Sequence, residues 1–207
     1  MTERVLPYDR SIVGQETGYW CGPASIQNVL SGHGIFVPER EIARQTEELE
    51  GNYGWDDRDG TDHISQIQIV LNRYLPDAKY AVTEIRNDPP TRAQKDKLWA
   101  DIVYSIDSGY GVVMNWVVPA GNRPRGVKGS PNPSYGARTT YHYVACMGYD
   151  DVARAVWIVD SGFWPYAYWI GFDQAASLIP PKGYAYATGG SSKVWQRIYN
   201  ELMGVVN

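Results

Sequence analysis

The hydrophobic period of this chain changes partway along, and that change sets its fold class. Before about residue 110, apolar residues recur every three or four positions, as in Ile26, Val29 and Leu30, then Ile64, Ile67, Val70 and Leu71, then Leu98, Ile102 and Ile106. Such spacing buries one face of a helix. Beyond it, Gly111 to Val118, Tyr141 to Tyr149, Ala155 to Asp160 and Tyr184 to Ala187 are runs rich in β-branched and aromatic residues, and they read as strands. The middle two are predicted to form a hairpin around Asp150-Asp151. Helices first and an antiparallel sheet second is the α+β pattern.

Local signals place the element ends. The first helix opens at Cys21-Gly22-Pro23, where a proline in the first turn gives up an N–H that has no helical partner, and it closes at Ser31-Gly32. A second helix follows Pro38, with Ile42 inward and Glu39, Glu41, Glu47 and Glu48 outward. A third follows Asp62, and a fourth covers about Thr91 to Asp107. Between strands lies a long Gly- and Pro-rich loop, Pro119 to Thr140, of the kind that in a folded domain is functional or disordered. Gly189-Gly190-Ser191-Ser192 reads as a linker, and Trp195 to Met203 as a short helix. One domain is therefore expected over residues 1–188, with residues 189–207 a linker and tail or the start of another domain.

Chemistry concentrates on a few positions. Cys21 stands at the start of the first helix, where free N–H groups and the helix dipole favour a thiolate, the nucleophilic form of the side chain. Gln15, six residues earlier on the entering loop, can donate its amide to the oxyanion that forms when a thiolate attacks a carbonyl, with the Cys21 backbone N–H as second donor. Such a thiolate needs an imidazole. Of three histidines, His33 follows a helix end, His63 follows an acidic loop, and His142 opens a strand with Val144 and Cys146 on its face. His142 is the candidate. If Tyr149 and Ala155 pair near the hairpin turn, His142 lies opposite Gly162 with Asp160 its diagonal neighbour; a shift of two places Asp160 directly opposite. Either register lets the carboxylate orient the imidazole.

Other features have plainer readings. Asp56, Asp57, Asp59 and Asp62 crowd one loop but lack the terminal Glu of a calcium loop, so an acidic turn capping the third helix is expected and a metal is not. His142 and Cys146, four residues apart on a strand, stand about 13 Å from each other, too far to share an ion; Cys146 is read as core. No cofactor is expected. Arg123, Arg125, Lys128 and Arg138 make the long loop basic, as for a lid over a carboxylate-bearing peptide. Trp20, beside the cysteine, and Trp164, among Tyr166, Tyr168 and Trp169, are candidate groove walls. The chain holds eight Trp and sixteen Tyr against three Phe, which suits half-wet surfaces. A net charge of -4 argues against binding nucleic acid or an anionic membrane. Two cysteines make no disulfide framework and fit a reducing compartment. There is no signal-peptide pattern at the start and no apolar run near the roughly 20 residues of a membrane span.

Gln15, the run Trp20-Cys21-Gly22-Pro23-Ala24-Ser25, then Tyr141-His142-Tyr143-Val144 and Val159-Asp160-Ser161 together resemble the papain-like peptidases related to bacteriocin-leader processing enzymes. The opening Val5 to Arg10, the stretch Asp57 to Asp62, Gly111 to Trp116 and Tyr141 to Asp150 are similar to the N-terminal peptidase domain of lysin A endolysins from phages of mycobacteria and related actinobacteria, over about Met1 to Ala187. The resemblance implies a papain-like fold with Cys21 as nucleophile, His142 as base, Asp160 as its orienter and Gln15 as oxyanion donor. It implies a thiol endopeptidase acting on peptidoglycan peptides during host lysis. The expected protein is a monomer made in the host cytoplasm and let through to the wall by another factor. The rivals are a leader-peptide protease acting on a protein, and a catalytically silent wall-binding module.

Overall fold

The computed structural model describes residues 2–11, 14–51 and 60–190. Three helices come first: α1 (Cys21–Ser31), α2 (Glu39–Glu50) and α3 (Ile64–Tyr74), preceded by the short strand β1 (Glu3–Val5). Then come β2 (Tyr80–Glu84), α4 (Arg92–Asp107), β3 (Val112–Val118), the hairpin β4 (Thr140–Asp150) and β5 (Ala155–Val159), β6 (Ala167–Gly171), α5 (Phe172–Ser177) and β7 (Gly183–Ala187). The α+β class, the four long helices and the central hairpin match the sequence reading. Of the stretch that reads as linker and helix, Gly189 is buried and its N–H donates to the Ala78 carbonyl (2.7 Å), and residues 191–207 lie outside the described residues.

α1 is the most enclosed helix. Ala24, Ile26, Val29 and Leu30 are all fully buried. Two of its polar side chains bond within the helix, from Asn28 Nδ2 to the Ala24 carbonyl (2.9 Å) and from Ser31 Oγ to the Asn28 carbonyl (2.8 Å). Gln27 Nε2 reaches out to the Val37 carbonyl (2.9 Å), and the buried Ser25 hydroxyl has no partner among the described residues. Gly32 ends the helix where a Cβ would fall 2.5 Å from the Pro7 carbonyl. α2 buries Ile42 and Ala43 and stops at Gly51, whose φ of 87° is the left-handed conformation that glycine adopts without strain. At α3 the cap is His63, in a reciprocal capping box with Gln66, rather than the acidic residues before it. Thr91 and Gln94 make the same box at α4.

The sheet runs β2-β7-β3-β4-β5-β6, every pair antiparallel, and β1 adds to β4 beyond the end of β3. β1, β2, β6 and α5 lack clear sequence signals: three are five residues or shorter with partly exposed patterns, and β6 (Ala-Tyr-Trp-Ile-Gly) looks like a cluster of groove aromatics. The hairpin begins one residue off the expected register, with Tyr149 opposite Val156. A bulge at Met147 then restores it, so that Ala145 faces Val159. That single extra residue aims His142 at Gly162.

The long loop is not a lid. It lies along β6, the edge strand: Gly126 bridges Ile170, Val127 N–H donates to the Trp169 carbonyl (2.9 Å), and Ser134 N–H to the Trp164 carbonyl (2.9 Å). It thereby covers an exposed sheet edge. Lys128 lies 3.9 Å over the Trp169 ring and pairs with Glu3 and Asp150. Asp150 is the last residue of β4, eight residues from His142, which at strand rise is roughly 26 Å away.

Candidate active site

Cys21 is the first residue of α1, and Ala24 N–H already bonds back to the Trp20 carbonyl (2.9 Å). The N–H groups before Ala24 have no partner inside the helix and are free to face the sulfur and anything attached to it. β4 brings His142 to that sulfur. The ring's Nε2 bonds Asp160 Oδ1 at 2.8 Å, which leaves Nδ1 for Cys21. Burial opposes the Cys21 thiolate. The His142 imidazole, with backbone bonds from Tyr143 and Gly22, outweighs burial and holds the thiol below its ordinary value. Burial likewise favours a neutral imidazole, but the Asp160 carboxylate, and then Cys21, raise His142 above its ordinary value. Both shifts favour a thiolate–imidazolium pair. Cys146 makes the contrast: burial pushes its thiol up to about 12.

Asp160 sits just past β5, fully buried and fully bonded. Oδ1 takes His142, Gly162 N–H (3.1 Å) and Phe163 N–H (3.2 Å). Oδ2 accepts the hydroxyls of Tyr135 and Tyr168, each at 2.8 Å. Burial and the Asp160 charge raise both phenols well above their ordinary range, so they stay neutral donors. Tyr135 comes from the long loop and Tyr168 from β6. In the sequence Tyr135 is one tyrosine among sixteen, and Tyr168 stands among the aromatics read as groove walls rather than as a partner of Asp160. Phe163 stacks on Tyr135 (centroids 3.9 Å apart) and meets His142 edge-on (5.2 Å), which fixes the plane of the imidazole. Gly162 lies under that ring, as the hairpin register predicts: a Cβ there would fall 2.7 Å from His142 Cε1.

Gln15 joins the same group from the loop before α1. Its N–H donates to the Ser161 carbonyl (3.0 Å), its Oε1 accepts from Ser161 Oγ (3.1 Å), and its Nε2 donates one hydrogen to the Thr17 carbonyl (2.7 Å). A second hydrogen on Nε2 remains. Ser161, next to Asp160 in the chain, thus ties Gln15 to the acid–imidazole pair.

Cys21 and His142 sit between two clefts. One, of about 490 Å³, is lined by Gln15, Glu16, Ser161, Gly162, Phe163 and Tyr166. The other, of about 280 Å³, is lined by Tyr19, Thr61, Asp62, Asn115, Tyr143 and Lys182. Tyr141, 67% exposed, borders both. An extended chain laid across Cys21 would thus find room on either side.

The other sequence candidates lie elsewhere. Arg123 and Arg125 line a separate cleft of about 480 Å³ with Asn122, Asp173 and Gln174, and Lys128 is committed to the far end of β4. Charge alone marked that loop as substrate-facing; its backbone bonds to β6 turn it away. Trp164 is exposed and borders neither catalytic cleft, while Trp20 adjoins the cysteine as the residue before α1 without lining either cleft. His63 caps α3, and His33 stacks on Tyr110 (5.1 Å). Asp56, Asp57 and Asp59 lie outside the described residues. Among the described residues no cluster of three or more metal-ligating side chains occurs, and no helix is long and apolar enough to cross a membrane.

The sequence profile of the Peptidase_C39 like family matches residues 8–177. No curated protein sequence matches the chain. Among solved structures, a double glycine motif protease from an AMS/PCAT transporter, in complex with the leader peptide, is 14% identical with a TM-score of 0.49 over 91% of this chain and 100% of that one. The peptidase domain of Streptococcus ComA, a bifunctional ABC transporter involved in quorum sensing, is 16% identical with a TM-score of 0.47 over 85% of this chain and 97% of that one. Xylellain, a cysteine protease from Xylella fastidiosa, is 17% identical with a TM-score of 0.42 over 90% and 91%.

Proposed function

This chain belongs to the Peptidase_C39 like family of papain-like cysteine peptidases, and we propose that it is an endopeptidase acting on bacterial peptidoglycan, with Cys21, His142, Asp160 and Gln15 as its catalytic set. The observation that carries the chemistry is the buried line from Cys21 through His142 to Asp160, open to a cleft on each side.

The steps follow from the geometry. The Cys21 thiolate adds to the carbonyl carbon of a bound amide. The oxyanion is met by the second Nε2 hydrogen of Gln15 and the Cys21 backbone N–H. His142 Nδ1 gives its proton to the departing amine, the C–N bond breaks, and an acyl-enzyme remains. Water then enters, giving its proton to Nδ1 as its oxygen attacks the thioester. The carboxylic product leaves and the ion pair is restored. Asp160 holds the Nε2 side of the ring, so that Nδ1 faces the sulfur at every stage.

The peptidoglycan substrate rests on the sequence resemblance of Gly111 to Trp116 and Tyr141 to Asp150 to endolysin peptidase domains. In that setting the protein acts at the actinobacterial wall after release by another factor. Digestion of purified mycobacterial-type peptidoglycan tests it: free amino groups should rise while reducing sugar ends stay constant, and Cys21→Ala should abolish the rise. New reducing ends would mark a glycosidase and refute the chemistry. If neither product forms, the substrate is a protein, as for a leader-peptide protease.

A further inference from the structure

Glu39 is the first residue of α2 and is 1% exposed. The sequence placed it on the wet face of that helix. A buried carboxylate ordinarily keeps a cation close by. Among the described residues no ion pair reaches Glu39: α1, packed against α2, carries no charged side chain, Arg44 of its own helix pairs with Glu41 and Glu48, and the basic group of α3, Arg73, donates to Gln45. Nor does Glu39 cap its own helix, where no side-chain cap bond forms. Its two oxygens share one donor, the Glu16 backbone N–H, at 3.0 and 3.3 Å.

That N–H belongs to the residue directly after Gln15. The loop carrying Gln15 is thus held at two adjacent points. Ser161 grips it on the Asp160 side through a backbone and a side-chain bond. Glu39 grips it on the helical side. We propose that Glu39 is a positioning residue for the oxyanion donor, fixing the Gln15–Glu16 peptide so that the Gln15 amide faces the carbon attacked by Cys21. The inference rests on the peptidase reading given above. A carboxyl oxygen suits the task because it accepts a backbone N–H in either protonation state, and more strongly when ionised. An oxyanion donor displaced by about 1 Å loses most of its effect.

Four variants test this with a soluble peptide substrate: Gln15→Ala, Glu39→Ala, the double variant, and Glu39→Gln. Gln15→Ala should lower kcat by roughly 10²-fold. Glu39→Ala should lower kcat by about 10-fold or more with KM within about twofold, and should cost less than about twofold further once Gln15 is already alanine. Glu39→Gln keeps an acceptor oxygen and should recover most of the loss. Alkylation of Cys21 by iodoacetamide needs a thiolate but no oxyanion donor, so its rate in Glu39→Ala should stay within about twofold of wild type. Should Glu39→Ala fail to fold, Glu39→Asp retains the charge with a shorter reach and should show the same fall in kcat. Independent, multiplying effects of Glu39→Ala and Gln15→Ala overturn the clamp, as does a matching fall in alkylation rate. A deficient Gln15→Ala beside an unimpaired Glu39→Ala (or, should that fail to fold, an unimpaired Glu39→Asp) overturns the clamp alone, whereas a silent Gln15→Ala removes the oxyanion role and the clamp with it.

Discussion

The buried Glu39 carboxyl should cost the protein stability, and the cost can be measured. Burial raises its pKa from an ordinary 4.5 to about 7, against the opposing pull of the Glu16 N–H and with help from the nearby Glu16 charge. A group that holds its proton more tightly in the folded state stabilises the fold at low pH and loses that contribution as pH rises. Below about 4.5 both states are protonated and nothing is lost. Between about 4.5 and 7 the unfolded chain ionises first, and folding stability falls by up to about 1.4 kcal/mol per pH unit. Above about 7 the full cost stands, on the order of 3 kcal/mol. Glu39→Gln cannot ionise but has the same shape. Urea unfolding of the two proteins from pH 4 to pH 8.5 should give curves that coincide at pH 4 and separate steadily, the Gln variant ending roughly 2–3 kcal/mol more stable. Every other titrating group is common to both, so the difference curve isolates Glu39. Parallel curves, or a Gln variant less stable at pH 8, would refute the reasoning. A stability penalty beside a gain in kcat is what a residue kept for positioning should show.

Iodoacetamide at mild pH should modify Cys21 far faster than Cys146, whose buried thiol is pushed up to about 12; mass spectrometry of the labelled peptides reads the ratio, and equal sluggishness would favour a silent binding module. Asp160→Asn removes the chief group that raises His142, so the imidazolium should lose its proton at lower pH; the alkaline limb of the kcat/KM profile should move down by more than about one pH unit with at least a tenfold loss of kcat. An unmoved limb would take Asp160 out of the mechanism. Gly162→Ala sets a methyl group 2.7 Å from His142 Cε1 and should cut kcat by about 10²-fold while the circular dichroism spectrum stays that of wild type.

Much of this molecule is determined by local sequence. The change of hydrophobic period, Pro23 in the first turn of α1, Pro38 before α2 and the Thr91–Gln94 box each act within a few residues, so the helices and central strands can be read without knowing what they pack against. Cys21, Gln15, His142 and Asp160 were legible for a related reason: a helix start and a hairpin register carry their own geometry, and the structure gathers all four. Tertiary structure decided the rest. Tyr135 and Tyr168 become Asp160's donors because a loop and an edge strand meet there, and nothing in either side chain marks it beforehand. Arg123, Arg125 and Lys128 advertise charge, but charge does not say which way a loop runs, and the backbone bonds to β6 carry them off the groove. Glu39 is the sharpest case. Helical periodicity put it in water, yet the loop before α1 folds over it and buries it, because contacts between segments 23 residues apart are set by packing and not by the period of either one.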